Sequence, residues 1–192
     1  ALPISPAGVR VLTDPNGFHP PATGPELVTI SNLHLTHSSM LRLPGTPQML
    51  WGISPEHGWN KIQQAVNDLV VFNVPSYSSR LDPENSPIQN SIFLFRVAGV
   101  CLVHLGNLRH PLTPGQLQRL GRPDVLMIPV DGQWTLSYEE VMGVIEQLQP
   151  SLVLPMHIDF PQHAEVFVQA MRGRYQVRRL PDLSLPVHRG LL

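Results

Sequence analysis

The chain has 192 residues, of which 42% are hydrophobic and only 14% charged, with a formal net charge of -1. That length can bury a substantial core. The charge balance excludes the basic stripe of a nucleic-acid binder, no apolar run is long enough to span a bilayer, and a single cysteine excludes an internal disulfide.

The elements follow in chain order. "GVRVLTDPNG" predicts a short strand at about 8–13, closed by an Asp-Pro-Asn-Gly turn. "ELVTI" predicts a second strand, which runs into the polar loop "SNLHLTHSS", and "GTPQMLWG" a third. In "HGWNKIQQAVNDL" the residues Trp59, Ile62, Ala65, Val66 and Leu69 recur at helical spacing, so a helix is expected. "LVVFNVP" reads as a strand ending at Pro75. Residues 76–90 are polar and turn-rich, the pattern of a long loop of the kind that lines sites.

"SIFLFRVAGVCLVHLGN" predicts a hairpin turning at Ala98-Gly99. Cys101 in its second arm reads as a buried, inert thiol. "TPGQLQRLG" is a short helix with proline at its start and Gly121 at its end. "DVLMIPV" is a buried strand. "SYEEVMGVIEQL" is a helix with a Ser137–Glu140 capping box. "SLVLPMH" is a further strand, "PQHAEVFVQAMRG" a helix stopping at Gly173, and "QVRRL" and "LPVHRG" are candidate terminal strands. No internal repeat or linker divides the chain, so residues 1–192 are read as a single α/β domain.

Nine histidines are present. His19, His57, His163 and His188 read as surface residues. His34 and His37 follow the strand "LVTI", His104 ends "VCLVH" with His110 just beyond it near the loop, and His157 ends "LVLPMH". Ligand sites gather beyond strand carboxyl ends. Loop histidines that hydrogen-bond to backbone are the plainer alternative. His104 lies three residues before Asn107, so on a continuous strand the two side chains would face opposite ways, and a buried, hydrogen-bonded role is expected for it. Asp14, Asn90 and Asp131 read as loop anchors, with approach to a metal rim as the alternative for Asp131.

The ordered segments "VRVLTDPNG", "ELVTISNLHLTHS", "VFNVPSYS", "HLGNLRHPLT", "DVLMIPVDG" and "LVLPMH" resemble the metallo-β-lactamase fold, in particular the metal-dependent hydrolases similar to L-ascorbate-6-phosphate lactonase. The resemblance implies a four-layer αββα sandwich with a dinuclear zinc or manganese site at one rim, where a metal-bound hydroxide would be the nucleophile. The family usually begins with one more strand, ending in Gly-His, which has no counterpart here.

The family's first metal motif is His-x-His-x-Asp-His. The aligned residues are Asn32, His34, Thr36 and His37. Ser78 stands where the family has a histidine after a Val-Pro segment, and Asn107 where it has a bridging aspartate. The last histidine is kept as His157. The resemblance thus implies a metal set of His34, His37 and His157, with neutral residues at Asn32, Thr36, Ser78 and Asn107. Dications draw much of their affinity from anionic ligands, although three imidazoles can hold zinc.

Three readings stand at this point: a metal-poor, non-catalytic relative; a mononuclear hydrolase of a small ester, lactone or phosphorylated substrate; and an active dinuclear enzyme. One zinc or manganese ion, or none, fits them. A small molecule is the expected partner, with no nucleic acid and no membrane, and a homo-oligomer stays open. The start without methionine is compatible with an exported mature chain or with a fragment.

Overall fold

The structure is a computed structural model that describes residues 9–56, 58–78, 88–158, 160–180 and 184–192. Its framework comes from strands that are apolar on both faces. "SIFLF" lies in β8 (Gln89–Val97), whose residues are nearly all buried. Ile92 and Leu94 point to one core, and Phe93, Phe95 and Val97 to another. This period of two with both faces covered identifies a strand in the middle of layers.

In chain order the strands are β1 (Val11–Thr13), β2 (Leu27–Ile30), β3 (Gln48–Trp51), β4 (Ile53–Ser54), β5 (Gly58–Trp59), β6 (Gln63–Val66), β7 (Leu69–Tyr77), β8, β9 (Val100–His104), β10 (Val125–Pro129) and β11 (Leu152–Met156). The helices are α1 (Leu35–Ser38), α2 (Pro114–Leu120), α3 (Tyr138–Leu148) and α4 (Pro161–Met171), and a 3₁₀ turn spans Arg189–Leu191. Six strands form one sheet in the order β11-β10-β9-β8-β7-β6, and β1-β2-β3 form a parallel three-stranded sheet. In the larger sheet β9, β10 and β11 run parallel, so their carboxyl ends open on the same rim.

The layers follow from the two faces of each sheet. Leu120, Val141, Val144, Ile145, Leu148, Phe167 and Met171 of the helices close over one face of the six-stranded sheet. Val11, Leu27 and Leu50 of the small sheet meet Val71, Phe93, Phe95 and Leu102 of the large one in a second core. Met40 and Leu43 cover the outer side of the small sheet, against Leu12, Val28 and Ile30 and beside Met49 of β3. The expected four-layer sandwich is therefore present. Among the described residues its fourth layer is thin, a loop and the single turn α1.

Local signals hold the helices where expected. Thr113 and Gln116 form a reciprocal capping box on α2, and Ser137 and Glu140 do the same on α3, each satisfying amide groups that a helix start leaves unpaired. The hairpin β8–β9 turns at Ala98 and Gly99, both with positive φ (48° and 73°).

Two expectations are corrected. Residues 58–69 form no helix: Gly58–Trp59 and Gln63–Val66 are strands, the latter paired antiparallel with β7. Apolar residues at helical spacing also suit a hairpin arm when a turn interrupts them, and Asn67 provides one at φ 53°. Asn73 then ties the segment down, accepting from the Ile62 N–H and donating to the Asn60 carbonyl. The second correction is at the carboxyl end, where residues 176–180 and 184–188 form no strand. That tail is held instead by Val187 and Leu192 packing on the inter-sheet core, and by Arg189 pairing with Asp124. Of the expected loop at 76–90, residues 76, 77, 89 and 90 extend β7 and β8, and residues 79–87 lie outside the described residues, as does His57.

Candidate metal centre

The carboxyl ends of β2, β9, β10 and β11 bring the sequence-predicted residues to one rim. Beyond β2, the chain turns into α1, capped by His34, whose Nδ1 lies 2.8 Å from the Thr36 hydroxyl. His37 is carried inward and is buried. His157 follows β11 directly, in a left-handed backbone conformation (φ 56°) that a non-glycine residue adopts only at a cost. The His37 and His157 rings come together with centroids 5.2 Å apart.

Each of these rings is aimed by a buried carboxylate. His37 Nδ1 donates to Asp14 Oδ2 at 3.0 Å. Asp14 also accepts from the Ser31 N–H at 2.7 Å and from the Ser31 hydroxyl at 2.5 Å. His157 Nδ1 lies 3.3 Å from Asp131 Oδ2. Asp131 further accepts from the backbone N–H groups of Gln133, Trp134 and Thr135 and from the Thr135 hydroxyl. Burial acts to raise both carboxyls. For Asp14 the hydrogen bond from His37, the nearby His104 and the Ser31 hydroxyl outweigh it. For Asp131 the hydrogen bonds from His157, Thr135 and the 133–134 amides outweigh it and hold the group well below the usual range. Both carboxylates are therefore charged acceptors, so each imidazole presents an Nδ1–H to its carboxylate and keeps Nε2 outside that hydrogen bond.

His104 is the third imidazole of the cluster and, like His37, is buried. Its Nδ1 accepts from the Gly106 N–H at 3.2 Å. Burial pushes its pKa down to about 4, against the attraction of Asp14 and with the help of the neighbouring His37 and His157. This is the hydrogen-bonded structural role expected from sequence. The strand ends at His104, however, and Gly106 turns at φ 60°, so strand alternation does not extend to Asn107.

The other predicted positions are placed as follows. His34 is exposed, with its ring centroid 6.5 Å from that of His37. Asn32 is fully buried; it donates to the Ser31 hydroxyl and accepts from the His34 N–H. The Thr36 hydroxyl is engaged by His34. The Ser78 hydroxyl donates to the Ile88 carbonyl. Asn107 is fixed through its backbone N–H on Asn90 Oδ1. Asn90 organises this corner, donating also to the Ser76 hydroxyl and the Leu105 carbonyl. His110 accepts from the Tyr77 N–H through Nε2, away from the histidine pair.

Among the described residues no group of three or more His, Cys, Asp or Glu side chains is arranged to hold a metal ion. The two carboxylates at the rim are spent on hydrogen bonds, and the neutral residues Asn32, Thr36 and Ser78 are engaged by protein partners. Four aligned ligand positions of this donor set, Asn32, Thr36, Ser78 and Asn107, carry neutral side chains. What it offers is two carboxylate-oriented imidazoles side by side, able to accept a proton or a hydrogen bond, or to coordinate through two nitrogens. Sequence reasoning read Asp14 as a loop anchor, and Asp131 as a loop anchor that could also approach the metal rim. The Asp-Pro-Asn-Gly turn beside a histidine loop was the available signal for Asp14, but its pairing with His37, 23 residues on, is a tertiary fact.

Comparison with known proteins agrees with this architecture. A family model described as a β-lactamase superfamily domain matches residues 1–157. A UPF0173 metal-dependent hydrolase from Methanoculleus marisnigri is 30% identical over 109 residues, covering 53% of this chain and 49% of that protein. One from Pyrococcus abyssi is 28% identical over 101 residues, covering 52% and 45%. The chain thus spans about half the length of these curated relatives. Among solved structures, a protein from Thermotoga maritima described as a Zn-dependent hydrolase of the metallo-β-lactamase superfamily superposes with a TM-score of 0.60 at 22% identity, covering 84% of this chain and 75% of that one. Igni18, a metallo hydrolase from Ignicoccus hospitalis, superposes with a TM-score of 0.56 at 19% identity, covering 85% and 84%. With the family model matching well over half its length, the chain belongs to the metallo-β-lactamase superfamily, the fold family of these metal-dependent hydrolases.

Proposed function

We propose that this chain keeps the metallo-β-lactamase fold but not two-metal hydrolysis, and that it binds a small molecule at the histidine rim with weak hydrolytic activity or none. One observation carries the reading: of the four aligned ligand positions with neutral residues, Asn32, Thr36 and Ser78 have their side chains committed to protein partners. A residue satisfied in this way gives up a hydrogen bond to take a metal, and contributes no charge in return. The motif order similar to L-ascorbate-6-phosphate lactonase supports a lactone, ester or phosphorylated compound as the ligand class.

A second reading has its own support. A metal-bound histidine ordinarily donates its other ring nitrogen to a carboxylate, and His37 and His157 each meet one through Nδ1. A mononuclear zinc site on His37, His157 and His34 would need His34 to leave Thr36 and turn inward. Elemental analysis of protein purified without chelator and then offered zinc or manganese separates the readings. The first expects less than about a tenth of an equivalent retained after desalting, as for sites of weaker than micromolar affinity. Stoichiometric zinc, with ester hydrolysis abolished by His157→Ala, would overturn it in favour of the second.

A further inference from the structure

At the end of the six-stranded sheet away from the histidines lies a cleft of about 630 Å³, lined by Arg96, Cys101, Arg122, Asp124, Ser151 and Arg189 among others. Asp124 and Ser151 precede β10 and β11, whose far ends lead to Asp131 and His157. At about 3.3 Å per residue the cleft is roughly 20 Å from the histidine pair.

Its charge is unbalanced. Three guanidinium groups line the cleft against one carboxylate, and that carboxylate is already engaged on both oxygens. Asp124 Oδ2 accepts from the Cys101 N–H at 2.8 Å, and Oδ1 accepts from Arg189 at 2.8 Å. Among the described residues, two positive charges of the cleft are left without an anionic partner. Each guanidinium is also held by one edge. Arg122 Nε donates to the Gln149 carbonyl at 2.8 Å, Arg189 is tied to Asp124, and Arg96 lies over the Phe72 ring at 5.5 Å and beside the Cys101 thiol. Among the described residues, the remaining N–H groups of Arg96 and Arg122 meet no carboxylate. Guanidinium forks held in place lose little freedom on binding an oxyanion, and they match phosphate oxygens two at a time. The volume lies in the range of small-molecule sites.

We propose that this cleft is a binding site for a small phosphate monoester, whose two negative charges balance the uncompensated pair and whose oxygens bridge Arg96 and Arg122. The site is separate from the histidine rim and does not depend on any reading of it.

Isothermal titration at constant ionic strength, with glycerol 3-phosphate, inorganic phosphate and glycerol as probes, tests the assignment. Glycerol 3-phosphate should bind saturably and more tightly than inorganic phosphate, and glycerol should not bind. Arg96→Gln and Arg122→Gln should each weaken binding by about tenfold, the loss of one charge-assisted contact, while His157→Gln leaves it unchanged. Circular dichroism checks that the variants fold, as surface arginine changes should allow. No saturable heat up to about 10 mM, beyond which affinity is negligible, overturns the proposal. So does unchanged affinity in both arginine variants, or loss of binding in His157→Gln. Equal affinity for the ester and for inorganic phosphate overturns the monoester assignment.

Discussion

Lowering the pH should destabilise this protein through His104 in particular. The imidazole is buried among Asp14, His37 and His157, and its Nδ1 is occupied by the Gly106 N–H, so in the folded state it protonates only near pH 4. In the unfolded chain it protonates near 6.5. Between those values the unfolded state binds the additional proton, so folding weakens as pH falls. The linkage amounts to about 2 kcal/mol on going from pH 7.5 to pH 5, and about 3 kcal/mol by pH 4. The assay is urea unfolding, followed by tryptophan fluorescence at a series of pH values, for the natural chain and for His104→Gln, which retains an acceptor for Gly106. The remaining titrations largely cancel in the difference between the two proteins. The natural chain should lose about 2 kcal/mol more than the variant between pH 7.5 and pH 5. Parallel stability curves would refute the reasoning, because they would mean that His104 titrates alike in both states.

Three further outcomes are expected. Asp131→Ala removes the acceptor for three amides, the Thr135 hydroxyl and His157; the buried donors left behind should cost about 4 kcal/mol in chemical denaturation, and a loss under 1 kcal/mol would show that water replaces the carboxylate easily. Gly106→Ala would set a Cβ 2.5 Å from Asn90 Oδ1 and 2.6 Å from Ser31 Cβ, at φ 60°; a loss of more than about 2 kcal/mol is expected, with wild-type stability counting against the tight packing of that corner. Ala98→Asn should raise stability by about 0.5–1 kcal/mol, because Ala98 sits at φ 48° before Gly99 in a two-residue hairpin turn, where Asn-Gly is preferred; an unchanged melting temperature would indicate that the turn contributes little.

How much of this was legible beforehand depends on the distance over which each feature is decided. The strands "SIFLF", "VCLV" and "VLMI" announce themselves by continuous apolar runs, and α2 and α3 by capping residues within one turn of their starts. The segment around Gln63–Val66 misled because its apolar spacing satisfies helix and hairpin alike, and pairing with β7 decided between them. The terminal segment had strand-like residues but, among the described residues, forms no strand and packs onto the inter-sheet core through Val187 and Leu192.

The same division holds at the rim. Local sequence determined that His37 and His157 stand just beyond strand ends and that Asn32, Thr36, Ser78 and Asn107 bring no charge there, because those are facts of residue type and position along the chain. Only the tertiary structure decided that the two imidazoles meet each other, that Asp14 and Asp131 orient them, and that His34 stays outside at the helix cap. Those contacts join residues that no local pattern couples, and they exist only because the parallel strands β9, β10 and β11 deliver their ends to the rim that β2 also reaches.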